Sequence, residues 1–424
     1  MIRKILFKTA AILALLAFCL GAASCMMVRL DNILSMADFS DEPTIEPTAA
    51  PMDEPVAVPS ATPLPTIEPT PTPEPTPEPT PEPTPGPIDA SLMFVGDLMC
   101  LCNQQHAAMQ QAEDGKKYDF LSSFKYVKPI LESADCAFGN LETTLSANWP
   151  YGYQEKRIGG MPNCNAPKEY LEGVAYAGFD VLSLSNNHCC DAGLQGIYDT
   201  LDAVDEYGFI ATGVFRTEEE PRFKIVDVKG IKIGFLAYAK QGYNGKSGCV
   251  SGKTYMLNTF TEEKVTRDAA AAREAGAELI IAYVHWGHEH INVPPSDVRQ
   301  QAKMFANAGV DIICGAHSHA VQPVVWLTAD DGRQVLCMYS LGNFVSSLPQ
   351  QTAVDTFIAE IRIRKDVDGS VYVTDEIYHT AHVFYSIDGK KYVIVPTDNT
   401  ELTSIQSTLA SAHERIMKII MSER

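Results

Sequence analysis

Seventeen of the 27 prolines in this 424-residue chain lie between Pro43 and Pro87, and that run limits what can fold. Proline fixes φ and has no amide hydrogen to donate, so neither a helix ladder nor a central strand survives such a density. From Pro69 to Pro85 the pattern is Thr-Pro-Glu-Pro, with nothing apolar to bury. Residues 26–87 therefore read as a spacer in extended polyproline II form, stiffened by repulsion among its glutamates. At ~3.1 Å per residue, about 45 residues reach on the order of 140 Å. A folded domain has to come from residues 88–424.

The charge divides the same way. Residues 41–87 hold nine acids and no Lys or Arg, so of the net charge of −20 the last 337 residues keep −13. An acidic balance without a basic stripe argues against a nucleic-acid partner, whose binders concentrate Lys and Arg on one face. Upstream of the spacer, Arg3, Lys4 and Lys8 precede an uncharged apolar stretch from Thr9 to Ala23. That order is a secretory signal, and the stretch is shorter than the ~20 residues of a spanning helix. Ala22, Ala23 and Ser24 lead into Cys25, similar to a lipobox, in which the cysteine is lipidated. The family pattern usually has Leu where Ala22 stands, so an uncleaved membrane anchor extended by Met26 and Met27 is the other reading. Residues 1–25 are thus expected to be a signal peptide or lipoprotein anchor that holds the protein at the membrane, outside the cytoplasm.

Nine cysteines remain in residues 88–424, an odd number with no zinc-ribbon spacing, and several sit in apolar runs. Most are expected to be buried thiols.

From Ile88 onward, short β-rich runs alternate with helical periodicity, the mark of an α/β domain. Strands are expected at 91–95, 134–138, 181–184, 231–239, 279–284, 310–314 and 335–340. Helices are expected at 120–132, 168–177, 194–207, 262–275 and 297–308. The last third turns more purely β, with strands near 353–364 and 370–379 and a terminal helix from 403 to 421. One layered domain with two sheets accommodates these elements.

Polar residues interrupt the apolar pattern at nearly every strand end. The first strand ends in Gly96-Asp97 and the second in Gly139-Asn140-Leu141-Glu142. The third ends in Asn186-Asn187-His188 with Asp191 beyond. Later strands end in His285-Trp286-Gly287-His288-Glu289 and Gly315-Ala316-His317-Ser318-His319. In an α/β sheet the carboxyl ends of strands converge on one crevice, where ligands bind. Each fragment alone has an ordinary explanation: Gly-Asp as a turn, Asn-Asn-His as an Asx turn and cap. Together Asp97, Glu142, Asn187, His188, His285, His317 and His319 form a mixed oxygen and nitrogen donor set, for which a metal is the economical account. His288 and His290 read as solvated loop residues, and His106, His379, His382 and His413 as surface or satisfied core histidines.

The ordered series Gly96-Asp97-Leu98-Met99, Gly139-Asn140-Leu141-Glu142, Leu184-Ser185-Asn186-Asn187-His188, His285-Trp286-Gly287, His317-Ser318-His319 and Ser340-Leu341-Gly342-Asn343-Phe344 resembles the bacterial CapA-type family. These are poly-gamma-glutamate capsule biosynthesis proteins with a calcineurin-like metallophosphatase fold. The resemblance, over about residues 91–345, implies a four-layer α/β/β/α sandwich. It also implies that Asp97 bridges two metals, with Glu142 as the second carboxylate. Asn187, His285 and His317 would hold one metal and His319 the other, while His188 protonates the leaving group. Two positions depart from the wider metallophosphatase pattern. Met99 stands where that pattern has a histidine ligand, and Asn140 where it has an aspartate. A weakened or single-metal site follows, with Cys100 or Cys102 as a remote substitute ligand and a buried or capping thiol as their ordinary role.

Such a donor set suits Mn²⁺, Fe²⁺ or Zn²⁺, as one ion or two. The ion would bring bound water to a pKa of about 7 and polarise a phosphoryl or acyl oxygen. Lys156, Arg157, Glu289 and Asn343 are candidate substrate contacts. The expected function is a surface-anchored, metal-dependent, hydrolase-like protein acting on an anionic capsule or envelope polymer such as poly-gamma-glutamate. Two other readings stay open: a non-catalytic polymer-binding or assembly subunit beside a membrane polymer synthase, and a small-substrate phosphoesterase.

Overall fold

The structure is a computed structural model that describes residues 86–240 and 248–424. The expected signal or anchor at 1–25, with Cys25, and all but the last two residues of the 26–87 spacer lie outside the described residues. No helix among the described residues is long and apolar enough to cross a membrane.

In chain order the first half runs β1 (Ile88–Leu98), α1 (Cys102–Gln110), α2 (Lys128–Leu131), β2 (Cys136–Leu141), β3 (Arg157–Ile158), β4 (Met161–Pro162), α3 (Tyr170–Ala177), β5 (Val181–Ser183), α4 (Gly193–Glu206) and β6 (Ile210–Thr212). It continues through β7 (Lys224–Val228), β8 (Ile231–Ala239), α5 (Glu262–Glu274), β9 (Leu279–His285), α6 (Ser296–Asn307), β10 (Ile312–Ala316), β11 (Val324–Thr328), β12 (Gln334–Met338) and β13 (Asn343–Val345). The C-terminal part holds β14 (Asp355–Lys365), β15 (Val371–Ile387), β16 (Lys390–Pro396) and α7 (Gln406–Ile420). One sheet has the order β16-β15-β14-β1-β2-β5-β6, with β13 also pairing β1, and the second is β11-β12-β10-β9-β8-β7.

The period of two in a strand sorts side chains between faces and so builds the layers. Leu92 and Phe94 of β1 join Phe235, Ile281 and Ile312 in a core between the sheets. Met93 and Val95 point the other way, onto Leu171 and Val174 of α3 and Ile197 and Val204 of α4. In the second sheet Ile280, Ala282 and Ile313 face away from the first, against Val265 and Ala269 of α5 and Ala302 and Phe305 of α6. The result is the four-layer α/β/β/α sandwich. The stacked pair Phe94–Phe138, centroids 5.0 Å apart, continues into Phe138–Phe235 at 5.5 Å and so crosses from sheet to sheet. Each such ring, removed from water, stabilises the fold by about 2–3 kcal/mol.

The expected helix at 120–132 is broken into a 3₁₀ turn, Leu121–Phe124, and the four-residue α2. Pro129 explains the break, because a proline starts a helix far better than it continues one. Strands expected at 91–95 and 370–379 are longer than that, and α1, β3, β4, β6, β7, β11, β13 and β16 are additional to the expected elements. Of the nine cysteines in the domain, Cys190 and Cys249 form a disulfide and seven are free thiols, six of them buried.

One detail of register places the site. The β1–β2 ladder shifts between Phe94 and Asp97. Tyr283 of β9 bridges that irregularity from the other sheet, its hydroxyl placed 2.9 Å from the Val95 carbonyl and 3.0 Å from that of Phe138. A single hydroxyl thereby ties the two sheets at their carboxyl ends, immediately before the polar residues begin.

Candidate metal centre

Asp97 sits at the end of β1, fully buried, because Gly96 lets the chain pass against the loop before β13. A Cβ on Gly96 would lie 1.7 Å from the Gly342 carbonyl oxygen, and Asp97 N donates to that same oxygen at 2.9 Å. Asn140 Nδ2 donates to Asp97 Oδ1 at 2.7 Å, and the His317 amide reaches Oδ2 at 3.3 Å. Asn140, which stands where the wider pattern has an aspartate, therefore orients Asp97.

After β5, Asn186 forms the Asx turn that its sequence allows, its Oδ1 accepting from His188 N at 3.1 Å. That turn presents Asn187 and His188. Asn187 Oδ1 is 3.0 Å from His285 Nε2, and His188 Nδ1 is 2.9 Å from Asp191 Oδ2. His285 and His317 approach with ring centroids 4.6 Å apart. His317 and His319 both adopt left-handed backbone, φ 89° and 52°, a conformation that costs an L-residue other than Gly roughly 1–2 kcal/mol.

The expected ligands Asp97, Glu142, Asn187, His285, His317 and His319 thus come together, with His188 beside them. Four compact donor groups emerge among the described residues: Glu142 with His285 and His317, Cys164 with His188 and Asp191, Glu289 with His317 and His319, and Asp97 with Glu142 and His319. Glu142 belongs to both the first and the last of these groups, and Asp97 lies beside it in the last. The Glu142 side chain is fully buried, yet no donor among the described residues reaches either oxygen in hydrogen-bond geometry. The neighbouring His285 Nε2 lies 3.3 Å from Oε1. His317 Nδ1 is likewise buried without a partner among the described residues. A carboxylate left so costs several kcal/mol unless a cation neutralises it, and the donor set fits a divalent transition metal.

The electrostatics agree with that strain. Burial, then the Asp97 charge, pushes the Glu142 carboxyl up to about 8. Burial opposes charging of His319, but Glu142 and Asp97 overcome it and raise the imidazole to about 9. Burial drives His285 and His317 down to about 3, leaving neutral rings suited to ligation. Burial also works against the Asp97 carboxylate, yet contact with His319 holds it below the usual range. For His188 burial is outweighed by Asp191, and its pKa is raised.

Above the donors lies a cavity of about 410 Å³ whose wall includes Lys156, Arg157, Cys164, His188, Glu289 and His319. Lys156, Arg157 and Glu289 therefore line the cavity. Asn343 does not: it is fully buried beneath His319, 2.7 Å from Nδ1, with its amide on Ser346 Oγ. Its role is to orient a ligand. His290, expected to be a solvated loop residue, belongs to the cavity wall, its ring 5.7 Å from that of His319. Asp191 was the residue sequence reasoning undervalued, and its signal was the three-residue spacing from His188 on one turn. Neither Cys100 nor Cys102 joins a donor group among the described residues. Met99 is buried, with its carbonyl accepting from Gln104 Nε2 and the Tyr170 hydroxyl.

Comparison with known proteins places this arrangement. The chain is 27% identical over 299 residues to "PGA biosynthesis protein CapA" of Bacillus subtilis, covering 69% of this chain and 72% of that one. It is 28% identical over 248 residues to "Capsule biosynthesis protein CapA" of Bacillus anthracis, covering 57% of each. Among solved structures, the NAD nucleotidase NadN of Haemophilus influenzae aligns with a TM-score of 0.45 at 14% identity, over 79% of this chain and 57% of that one. A purple acid phosphatase from yellow lupin seeds aligns with a TM-score of 0.33 at 12% identity, over 74% and 55%. Residues 91–348, well over half the chain and holding every donor described above, match the family of bacterial capsule synthesis proteins PGA_cap, and the chain belongs to that family.

Proposed function

We propose that this protein acts in the synthesis of an anionic capsule or envelope polymer as a metal-dependent hydrolase, held outside the cytoplasm by its N-terminal anchor and spacer. The observation that carries the reading is the Glu142 carboxylate, fully buried beside the other ligand-type side chains and reached by no hydrogen-bond donor among the described residues. A divalent cation held by Asp97, Glu142, Asn187, His285, His317 and His319 would supply Lewis acidity and an activated water. The chain's own groups do the rest. His188, oriented by Asp191, is placed to hand a proton to a leaving group at the cavity. Lys156 and Arg157 offer local positive charge to a polyanion in a domain whose net charge is −13. The names of the Bacillus relatives, which refer to capsule and PGA biosynthesis, support a polymer of the poly-gamma-glutamate kind, handled beside a membrane synthase.

Elemental analysis of the purified full-length chain tests the proposal. Bound transition metal at one or two ions per chain is expected, with loss in Asp97→Ala and His317→Ala. Full metal retention by both variants would sink it. The buried Met99, which supplies no nitrogen where the wider pattern has one, favours a second reading as a polymer-binding assembly subunit. Wild-type polymer output from His188→Ala would decide for that reading.

A further inference from the structure

Cys164 differs from the other buried thiols. Cys136, Cys314 and Cys337 are strand residues inside apolar cores. Cys164 instead belongs to the wall of the site cavity, and its Sγ lies 3.6 Å from His188 Nε2. The other nitrogen of that imidazole is held at 2.9 Å by Asp191 Oδ2. The backbone fixes the sulfur's place: Cys164 N donates to the same Asp191 oxygen at 2.9 Å, and its carbonyl accepts from Thr143 Oγ1 at 2.7 Å and Thr144 N at 2.8 Å. Thiol, imidazole and carboxylate stand in the order that nucleophilic acyl transfer requires, with the base oriented by a third group. Lys156 and Arg157, on the same wall, suit an acidic chain on either side of the reacting bond.

We infer that Cys164 is the nucleophile of an acyl-transfer activity on the backbone amides of an acidic polypeptide bound in this cavity. The inference rests on the polymer reading above for its substrate class, and not on the metal for its chemistry. In the first step Sγ adds to the amide carbonyl carbon while the thiol proton passes to His188 Nε2. The C–N bond then breaks, and the same proton goes to the departing amine nitrogen, leaving a thioester on Cys164. In the second step water, or the amine of another chain, adds to the thioester and gives up a proton to His188. The C–S bond breaks and the proton returns to Sγ, so nothing is oxidised or reduced. With water the outcome is shortening of the polymer; with an amine it is transfer.

The test uses the full-length chain and a synthetic γ-linked glutamate oligomer. After acid quench, intact-mass and peptide mass spectrometry should find the acyl adduct on Cys164. The adduct should persist when metal has been stripped with a chelator and vanish in Cys164→Ala. Independently of any variant, iodoacetamide should label Cys164 in the native protein at least about tenfold faster than Cys136 or Cys314. The oligomer should slow that labelling. Absence of an adduct together with labelling no faster than Cys136 would overturn the inference. So would labelling that appears only after chelation, which would mark Cys164 as a metal ligand. Metal-dependent cleavage that continues undiminished in Cys164→Ala would overturn it while leaving the metal reading intact. Loss of metal binding in Asp97→Ala with the adduct retained in stripped wild type would do neither harm, since each chemistry would then have its own evidence.

Discussion

Replacing Glu142 with glutamine should stabilise or spare the metal-free protein and destabilise the metal-loaded one. The Glu142 carboxyl is held up to about 8 against 4.5 in the unfolded chain, by burial first and by Asp97 second. Between those values the folded state keeps a proton that the unfolded state has released, so metal-free stability falls as pH rises from 4.5 to about 8. At pH 7 that fall amounts to about 3 kcal/mol, at ~1.36 kcal/mol per unit. Glutamine has nearly the same shape and never ionises, so it abolishes the slope. Part of the gain is lost because a buried amide requires partners of its own, at roughly 1–3 kcal/mol. Stripped Glu142→Gln should therefore match wild type or exceed it by up to about 2 kcal/mol. With metal the sign reverses. Losing an anionic ligand should weaken binding at least about a hundredfold, which at saturating metal removes about 2.7 kcal/mol of linkage. Urea melts at pH 7, with chelator and with excess Mn²⁺, read both numbers. Equal destabilisation of the variant in the two conditions would refute the reasoning, as would a wild type whose midpoint ignores metal.

Tyr283→Phe should cost about 1–3 kcal/mol, because the Val95 and Phe138 carbonyls lose their shared donor, and should lower metal occupancy by loosening the strand ends; denaturant melts and elemental analysis check it. Gly96→Ala should cost more than about 2 kcal/mol and displace Asp97, since the added Cβ would overlap the Gly342 carbonyl, and a variant with normal stability and metal content would contradict the close approach. His188→Ala should lower turnover about 10²–10⁴-fold with metal content unchanged. Asp355 accepts from Arg415 at 2.9 and 3.0 Å and lies 2.7 Å from His382 Nδ1. Burial opposes its charge, but His382 and Arg415 hold its carboxyl below the usual range. The resulting stability is present above the unfolded value of 3.8 and lost as pH falls through the lower folded one. Asp355→Asn should therefore cost roughly 1–3 kcal/mol at pH 7 and flatten the acid limb of a pH–stability curve.

The site was legible in the sequence because its residues interrupt apolar strands, and an interruption at a strand end is a local signal. Asp97, Glu142, Asn187, His285, His317 and His319 each carry that signal, and the parallel topology brings the ends together. Residues acting through a neighbour carry at most a faint one, such as the three-residue spacing of Asp191 from His188. Asn343 reads as one more polar strand end until the fold shows His319 lying over it. Asp191 and Cys164 meet at His188 across 27 residues, a distance that no periodicity encodes. The same division holds for the fold. Helices α3, α4, α5 and α6 announced themselves by amphipathic spacing. Strands β7 and β11 did not, because each is a five-residue edge strand whose place is set by the single antiparallel partner it pairs with.

The left-handed backbone at His317 and His319 is a cost that the site imposes on the chain, offset at His319 by its contacts with Asp97 and Asn343. Glycine or asparagine at either position would relax the main chain and leave the strands, the cores and the ties between sheets untouched. A laboratory selection for heat resistance alone would therefore be expected to erase the imidazole of His317 first, since its Nδ1 has no partner among the described residues, while the sandwich endured. The pair of histidines is a record that something other than folding has been selected, written in the torsion angles of the chain itself.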